Sequence, residues 1–73
     1  MRTKFTMIMN KEPIDIYVEG YADGEDYEVE KVIAKYGHKE VLRIEDKQEH
    51  GLLANSEFSE AILEQSIQTL CTK

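Results

Sequence analysis

Two neighbouring segments near the start of the chain, residues 3–9 and 14–21, alternate apolar and polar side chains. A period of two is typical of a β-strand with one buried face. The intervening Asn10-Lys11-Glu12-Pro13 predicts a four-residue turn, and this turn length pairs apolar residues only. The predicted pairs are Met9 with Ile14, Met7 with Ile16, and Phe5 with Val18. The alternation therefore predicts an antiparallel hairpin with one apolar face.

A second turn is predicted at Asp23-Gly24, a dipeptide that favours the two-residue type I′ turn of β-hairpins. Counting outward from it gives three pairs on the apolar face: Gly20 with Tyr27, Val18 with Val29, and Ile14 with Ile33. One pair does not fit, since Ile16 falls opposite Lys31. Two explanations are open: Lys31 extends its ammonium group to the rim, or a β-bulge shifts the register.

Gly37-His38 predicts a third tight turn, which sets Ile33 against Leu42 and Lys31 against Ile44. The three turns together predict a four-stranded antiparallel meander. The C-terminal segment predicts a helix that begins after Asn55 or Ser56 as the N-cap and ends at about Cys71. We therefore expect an α+β fold, with residues 1–73 forming a single domain and the helix covering one face of the sheet.

The apolar side chains of the predicted helix spread over a wide arc. Leu63, Ile67 and Leu70 recur at helical spacing and form the predicted core stripe. The remaining three, rotated from that stripe, are Phe58, Ala61 and Ile62. Either the helix bends over a twisted sheet and buries them, or a second chain or a partner covers them. These three residues are candidate contacts of a homodimer or a partner.

Charge is distributed unevenly along the chain. Residues 12 to 30 contain eight acids and no Lys or Arg, whereas the rest contains seven acids and all nine basic residues. The predicted registers place Glu19 opposite Glu28 and Lys4 beside Glu19, with most of the acids on the outer face of the sheet. The candidate partner-binding residues on this acidic, tyrosine-containing face are Asp15, Tyr17, Glu19, Tyr21, Asp23, Asp26, Glu28 and Glu30.

This charge pattern predicts which partners the protein attracts. A concentrated negative field repels nucleic acid and membrane headgroups and attracts basic protein surfaces. Tyrosine adds rigid contact area and a ring face that binds Arg or Lys. The leading hypothesis is therefore a protein-binding module that docks on a basic protein and blocks its access to nucleic acid. Two alternatives are a solvated face that confers solubility, and a homodimer built through the helix and a sheet edge.

The sequence shows no catalytic or metal-binding motif that would indicate an enzyme. The acids around Gly24 lack the spacing of a calcium loop, and His38 and His50 have no Cys or His at ligand spacing. The single cysteine, Cys71, excludes an internal disulfide and suits a reducing cytosol. We expect a non-enzymatic cytoplasmic protein without a cofactor or a metal.

The order of segments resembles that of small acidic proteins encoded by tailed bacteriophages. The resemblance covers most of the chain and lies in KFTMI at residues 4–8, IDIYVEGY at 14–21, YEVE at 27–30 and the acidic helical segment SEFSEAILE at 56–64. It implies an accessory role in the host cytoplasm, such as inhibiting a host defence system or a nucleic-acid enzyme, as anti-CRISPR proteins do. It assigns no site residue.

Overall fold

The computed structural model describes residues 2–72 and shows an antiparallel sheet with one C-terminal helix. The strands are β1 (Arg2–Met9), β2 (Glu12–Asp23), β3 (Asp26–Tyr36), β4 (Lys39–Glu45) and β5 (Gln48–His50). They lie in chain order, and the helix α1 (Glu57–Cys71) follows them. The α+β prediction is confirmed, but the prediction of four strands was wrong because a short fifth strand extends the meander.

All four hairpin turns have two central residues. Asn10-Lys11 and Asp46-Lys47 have positive φ at both positions (50° and 65°, 53° and 63°), as type I′ turns require. The four-residue turn predicted after Met9 was therefore wrong, and Met9 pairs with Glu12. Since the register moved by two residues, the predicted faces of β1 and β2 are unchanged.

The turn between β2 and β3 lies one residue further along than predicted. Asp23 pairs with Asp26, and of the two central residues only Gly24 has positive φ (62°), the pattern of a type II′ turn. The register then shifts at Glu30, which is left unpaired between Val29 and Lys31. This β-bulge resolves the predicted clash at Lys31, because Ile16 now pairs with Ala34.

A second irregularity lies between β3 and β4. The Gly37-His38 turn is confirmed, since Tyr36 pairs with Lys39, but Val41 is left unpaired beyond it. Ile33 consequently pairs with Arg43 and Tyr17 on the outer face, and the predicted pairing of Ile33 with Leu42 was wrong.

The core lies between the sheet and the helix. Its buried members are Ile14, Ile16, Val18, Val32, Ala34, Val41, Leu42, Ile44, Ile62 and Leu70. The helix begins after Ser56, whose side chain accepts a hydrogen bond from the Ser59 amide, and it ends at Cys71, as predicted. It packs on β2 and β3 and touches β1. No helix in residues 2–72 is long and apolar enough to cross a membrane.

The buried stripe of the helix differs from the predicted one. It consists of Ser59, Ile62, Ser66 and Leu70, whereas Leu63 and Ile67 are only half-buried. Small serines let the helix approach the sheet closely, and their hydroxyls donate to helix carbonyls, Ser66 to Ile62 O at 2.7 Å. Ile62 is completely buried, so its prediction as a dimer or partner contact was wrong.

Candidate binding surface

The predicted acidic face divides into two regions with different surroundings. Glu19 pairs with Lys31 across the bulge, not with Glu28, and its carboxylate lies 2.9 Å from Arg2 Nε and 3.7 Å from Lys31 Nζ. The predicted opposition of Glu19 and Glu28 was wrong. Because Arg2 is its β1 neighbour, the predicted position of Lys4 beside Glu19 was also wrong.

The other candidates in this central region also have contacts within the sheet. Lys4 lies opposite Tyr17 and places its ammonium group 5.2 Å from the centre of the Tyr17 ring, with Lys35 Nζ at 6.0 Å. The Thr6 hydroxyl donates to Asp15 Oδ1 at 3.0 Å. The centre of the outer face is therefore a surface of mixed charge, whose acids and Tyr17 already have partners.

The remaining acids lie on an extension of the β2–β3 hairpin. Arg2 is the first described residue of β1 and pairs with Glu19, and Glu45 is the last of β4 and pairs with Lys31. Residues 20–30 therefore continue beyond the described parts of both neighbouring strands as a two-stranded ribbon, held by four cross-strand pairs and about 13 Å long. We call residues 20–30 the acidic ribbon.

The acidic ribbon contains five acids and no Lys or Arg: Asp23, Glu25, Asp26, Glu28 and Glu30. Elsewhere, ten acids and nine basic residues almost cancel, so the ribbon carries nearly all of the net charge of −6. None of these five carboxylates accepts a side-chain hydrogen bond or forms an ion pair within residues 2–72. Tyr21 and Tyr27 are 46% and 49% exposed on the same ribbon. The ribbon thus presents unneutralised negative charge together with two exposed aromatic rings.

The position of the ribbon depends on a close backbone contact at Gly20. This residue is buried opposite Val29, at the bulge, and a Cβ added there would overlap the Glu28 carbonyl oxygen. The bulge increases the local twist of the sheet as the ribbon leaves it. The sequence predicts Tyr27 as the close neighbour of Gly20. In the structure, backbone atoms of Glu28 and Val29 make this contact instead.

The outer face of β4 has ion pairs of its own. The Arg43 guanidinium donates to both carboxylate oxygens of Glu40, from Nε at 3.1 Å and from Nη2 at 2.8 Å, and Nη1 contacts Glu45 at 3.4 Å. These hydrogen bonds lower the pKa of Glu40. The acids of β4 are therefore neutralised, which further isolates the charge of the acidic ribbon.

At the end of the sheet opposite the ribbon, an apolar cleft of about 270 Å³ contains Phe58, one of the predicted partner contacts. Met9, Val41, Leu52 and Leu53 share this cleft with it. At the mouth, the Tyr36 hydroxyl donates to Glu12 Oε2 at 3.0 Å, and this hydrogen bond raises the pKa of Tyr36. Ala61 is exposed on the helix and does not line this cleft.

No group of three or more His, Cys, Asp or Glu in the described part of the chain is arranged to hold a metal ion. Comparison with models of protein families, with curated proteins and with solved structures finds no match to this chain. The candidate surface therefore has to be interpreted from its own geometry and charge.

Proposed function

We propose that this protein is a non-enzymatic binding module that docks its acidic ribbon on a basic surface of another protein. The observation that carries the proposal is the segregation of charge. The five acids of the ribbon extend beyond the described parts of the flanking strands and form no ion pair within residues 2–72, whereas Asp15, Glu19 and Glu40 have partners in the sheet. Such a surface attracts Lys and Arg and accelerates association with a basic partner.

The proposed partner is a host protein that handles nucleic acid, and the proposed effect is inhibition. Proteins of this kind carry basic surfaces that hold phosphates. A compact acidic ribbon with exposed tyrosines competes for the same Lys and Arg side chains. The resemblance to phage-encoded acidic proteins supports an anti-defence role, of which an anti-CRISPR role is one form.

The test uses two double variants that change the net charge equally. Asp23→Asn with Asp26→Asn removes two charges from the ribbon, and Glu60→Gln with Glu64→Gln removes two from the exposed side of the helix. Partners are captured from a bacterial lysate on immobilised protein at about 0.1 M and about 1 M salt, between which the screening length falls from about 10 Å to about 3 Å.

We expect a basic nucleic-acid-binding protein to be captured at low salt and lost at high salt. The ribbon variant should bind it about tenfold more weakly, and the helix variant should bind it like the wild type. The captured protein should also lose its affinity for nucleic acid when the wild-type chain is added. Equal capture by the wild type and the ribbon variant, or equal losses in both variants, would contradict the proposal.

A homodimer remains the second proposal, now limited to a sheet edge. The eight-residue β1 has no described strand on its outer side, and Ile8, at 69% exposed, lies on it. Unpaired strand edges associate readily. Light scattering coupled to size exclusion tests this proposal, since a molar mass of one chain at all concentrations excludes the dimer.

A further inference from the structure

A second surface adjoins the acidic ribbon on the helix side of the sheet. An open groove of about 720 Å³ runs between the ribbon, the β4–β5 hairpin and the second half of α1. Its size is within the range of pockets that bury a ligand group, roughly 300–1,000 Å³.

The groove exists because one helix is narrower than five strands. Five strands span about 19 Å, whereas a helix with its side chains is about 10 Å wide. The helix packs on β1, β2 and β3 and leaves the end of β4 beside the ribbon uncovered. The floor of the groove is apolar and consists of Val29, Ile44, Leu63 and Ile67. Leu63 and Ile67 are the predicted core residues that the fold leaves half-buried.

The rim of the groove is mainly acidic. Glu30 comes from the bulge, and Asp46 and Glu49 come from the β4–β5 hairpin, against a single cation, Lys47, among the described lining residues. Glu28 also lines the groove, but it alternates with Val29 along β3 and so belongs to the opposite face of the sheet. Glu49 Oε1 accepts a hydrogen bond from the Asn55 amide at 3.1 Å, so the Glu49 carboxylate is partly satisfied within the chain. The carboxylates of Glu30 and Asp46 have no ion-pair partner within residues 2–72.

We infer that this groove binds a short basic segment of the partner protein, with an apolar side chain on the floor and Lys or Arg on the rim. This inference rests on the proposed function and specifies the chemistry of its partner. Charge complementarity decides the occupant, because the rim repels phosphates and fatty carboxylates. A second copy of this chain, with a net charge of −6, is repelled as well.

The test titrates the isotope-labelled full chain with three synthetic peptides while amide chemical shifts are recorded. The first contains Lys and Ala with two central leucines, the second has Ser in place of the leucines, and the third has Glu in place of Lys. We expect only the first to perturb the amides of Val29, Ile44, Leu63 and Ile67 in a saturable way. Equal binding of the leucine-free peptide, or shifts restricted to the ribbon tip, would overturn the inference.

Two variants test the floor and the rim separately. Ile67→Ser should lower the affinity for the leucine-containing peptide about tenfold, because an apolar contact is lost. Lys47→Glu should raise the affinity for the same peptide about threefold, because the substitution removes the only cation of the described rim and adds an acid. Loss of folding cannot produce this gain, so an unchanged or weaker affinity for Lys47→Glu counts against the inference.

The two proposals fail in distinguishable ways. If the double variant Asp23→Asn, Asp26→Asn captures partners normally while the peptide still binds the groove, the ribbon proposal fails and the groove inference stands. If the ribbon variant loses its partner while no peptide perturbs the floor, the groove inference fails alone. The protein is also measured at rising concentration without peptide. If its diffusion coefficient falls while the amide shifts of the groove floor change, the groove is assigned to a second copy and the inference is overturned.

Discussion

Replacing Gly20 by Ala tests the register on which the acidic ribbon depends. The added Cβ would overlap the Glu28 carbonyl oxygen and lie 3.1 Å from Val29 Cα. Both atoms belong to the backbone, so no side-chain rotation relieves the overlap, and the two strands must separate at the bulge. Overpacking of this kind costs typically 1–3 kcal/mol, and we expect about 3 kcal/mol here because backbone has to move. For a domain of this size that loss lowers Tm by about 12–24 °C.

Gly37→Ala is the matched control for this change. Gly37 also lies in a hairpin, but an added Cβ would have no atom within 4 Å, and the only cost is the positive φ of 61°. We expect that strain to cost about 1 kcal/mol. Thermal and urea unfolding, followed by circular dichroism, measure both variants. If Gly20→Ala is no more destabilising than Gly37→Ala, the Glu28 backbone does not pack against Gly20, and the position assigned to the ribbon is wrong.

Two further tests address the core and the helix start. Ile62→Ala should lower the free energy of unfolding by about 3 kcal/mol in urea titrations, whereas Ala61→Ser on the exposed side should change it by less than about 0.5 kcal/mol. The Ser59 hydroxyl beside the Glu49 carboxylate, and the hydrogen bond that Glu49 accepts from the Asn55 amide, lower the pKa of Glu49. The stability that Glu49 adds is present above its unfolded pKa and lost as pH falls through its folded pKa, so Glu49→Gln should flatten the acid dependence of Tm.

The strands and the helix could be predicted from sequence because local signals agree with the final packing. Alternation identifies β1 and β2, turn residues identify the hairpin around Gly24 and the one at Gly37-His38, and Ser56 followed by an acidic turn identifies the helix start. The short β5 gives no such signal. It has three polar residues, and its turn, Asp46-Lys47, places Lys at a position with positive φ where Gly or Asn is the usual indicator.

The two bulges could not be predicted, although one left a trace. Ile16 opposite Lys31 signals a conflict, and the sequence leaves two explanations open. Packing decides between them, since the unpaired Glu30 lets Val32 and Ala34 enter the core and moves Lys31 to the outer face beside Glu19. Because of that single shift, the predicted acidic face becomes a neutralised sheet centre and a separate acidic ribbon.

Two residues of the predicted helix stripe, Leu63 and Ile67, were misassigned, whereas Leu70 is buried as predicted. Leu63, Ile67 and Leu70 have the larger side chains, and a hydrophobicity pattern gives them priority over serine. The structure buries Ser59 and Ser66 because a close helix–sheet approach needs small residues whose hydroxyls bond within the helix. Leu63 and Ile67 are thereby left at the side, where they form the floor of the groove.

Like charges at the ribbon tip give a final prediction that separates solubility from binding. Asp23 and Asp26 lie directly opposite each other, and such pairs destabilise a hairpin by a fraction of a kcal/mol. Asp26→Asn should therefore raise the free energy of unfolding by about 0.5 kcal/mol, a gain of about 2–4 °C in Tm. The gain should disappear at about 1 M salt. Glu64→Gln, on the exposed helix surface, changes the net charge equally and should have no comparable effect.

Acids that served solubility alone could lie anywhere on the surface, so a pair retained at a cost in stability favours binding of a cation. If Asp26→Asn lowers Tm, the carboxylate stabilises the turn, and the tip acids no longer support a binding role.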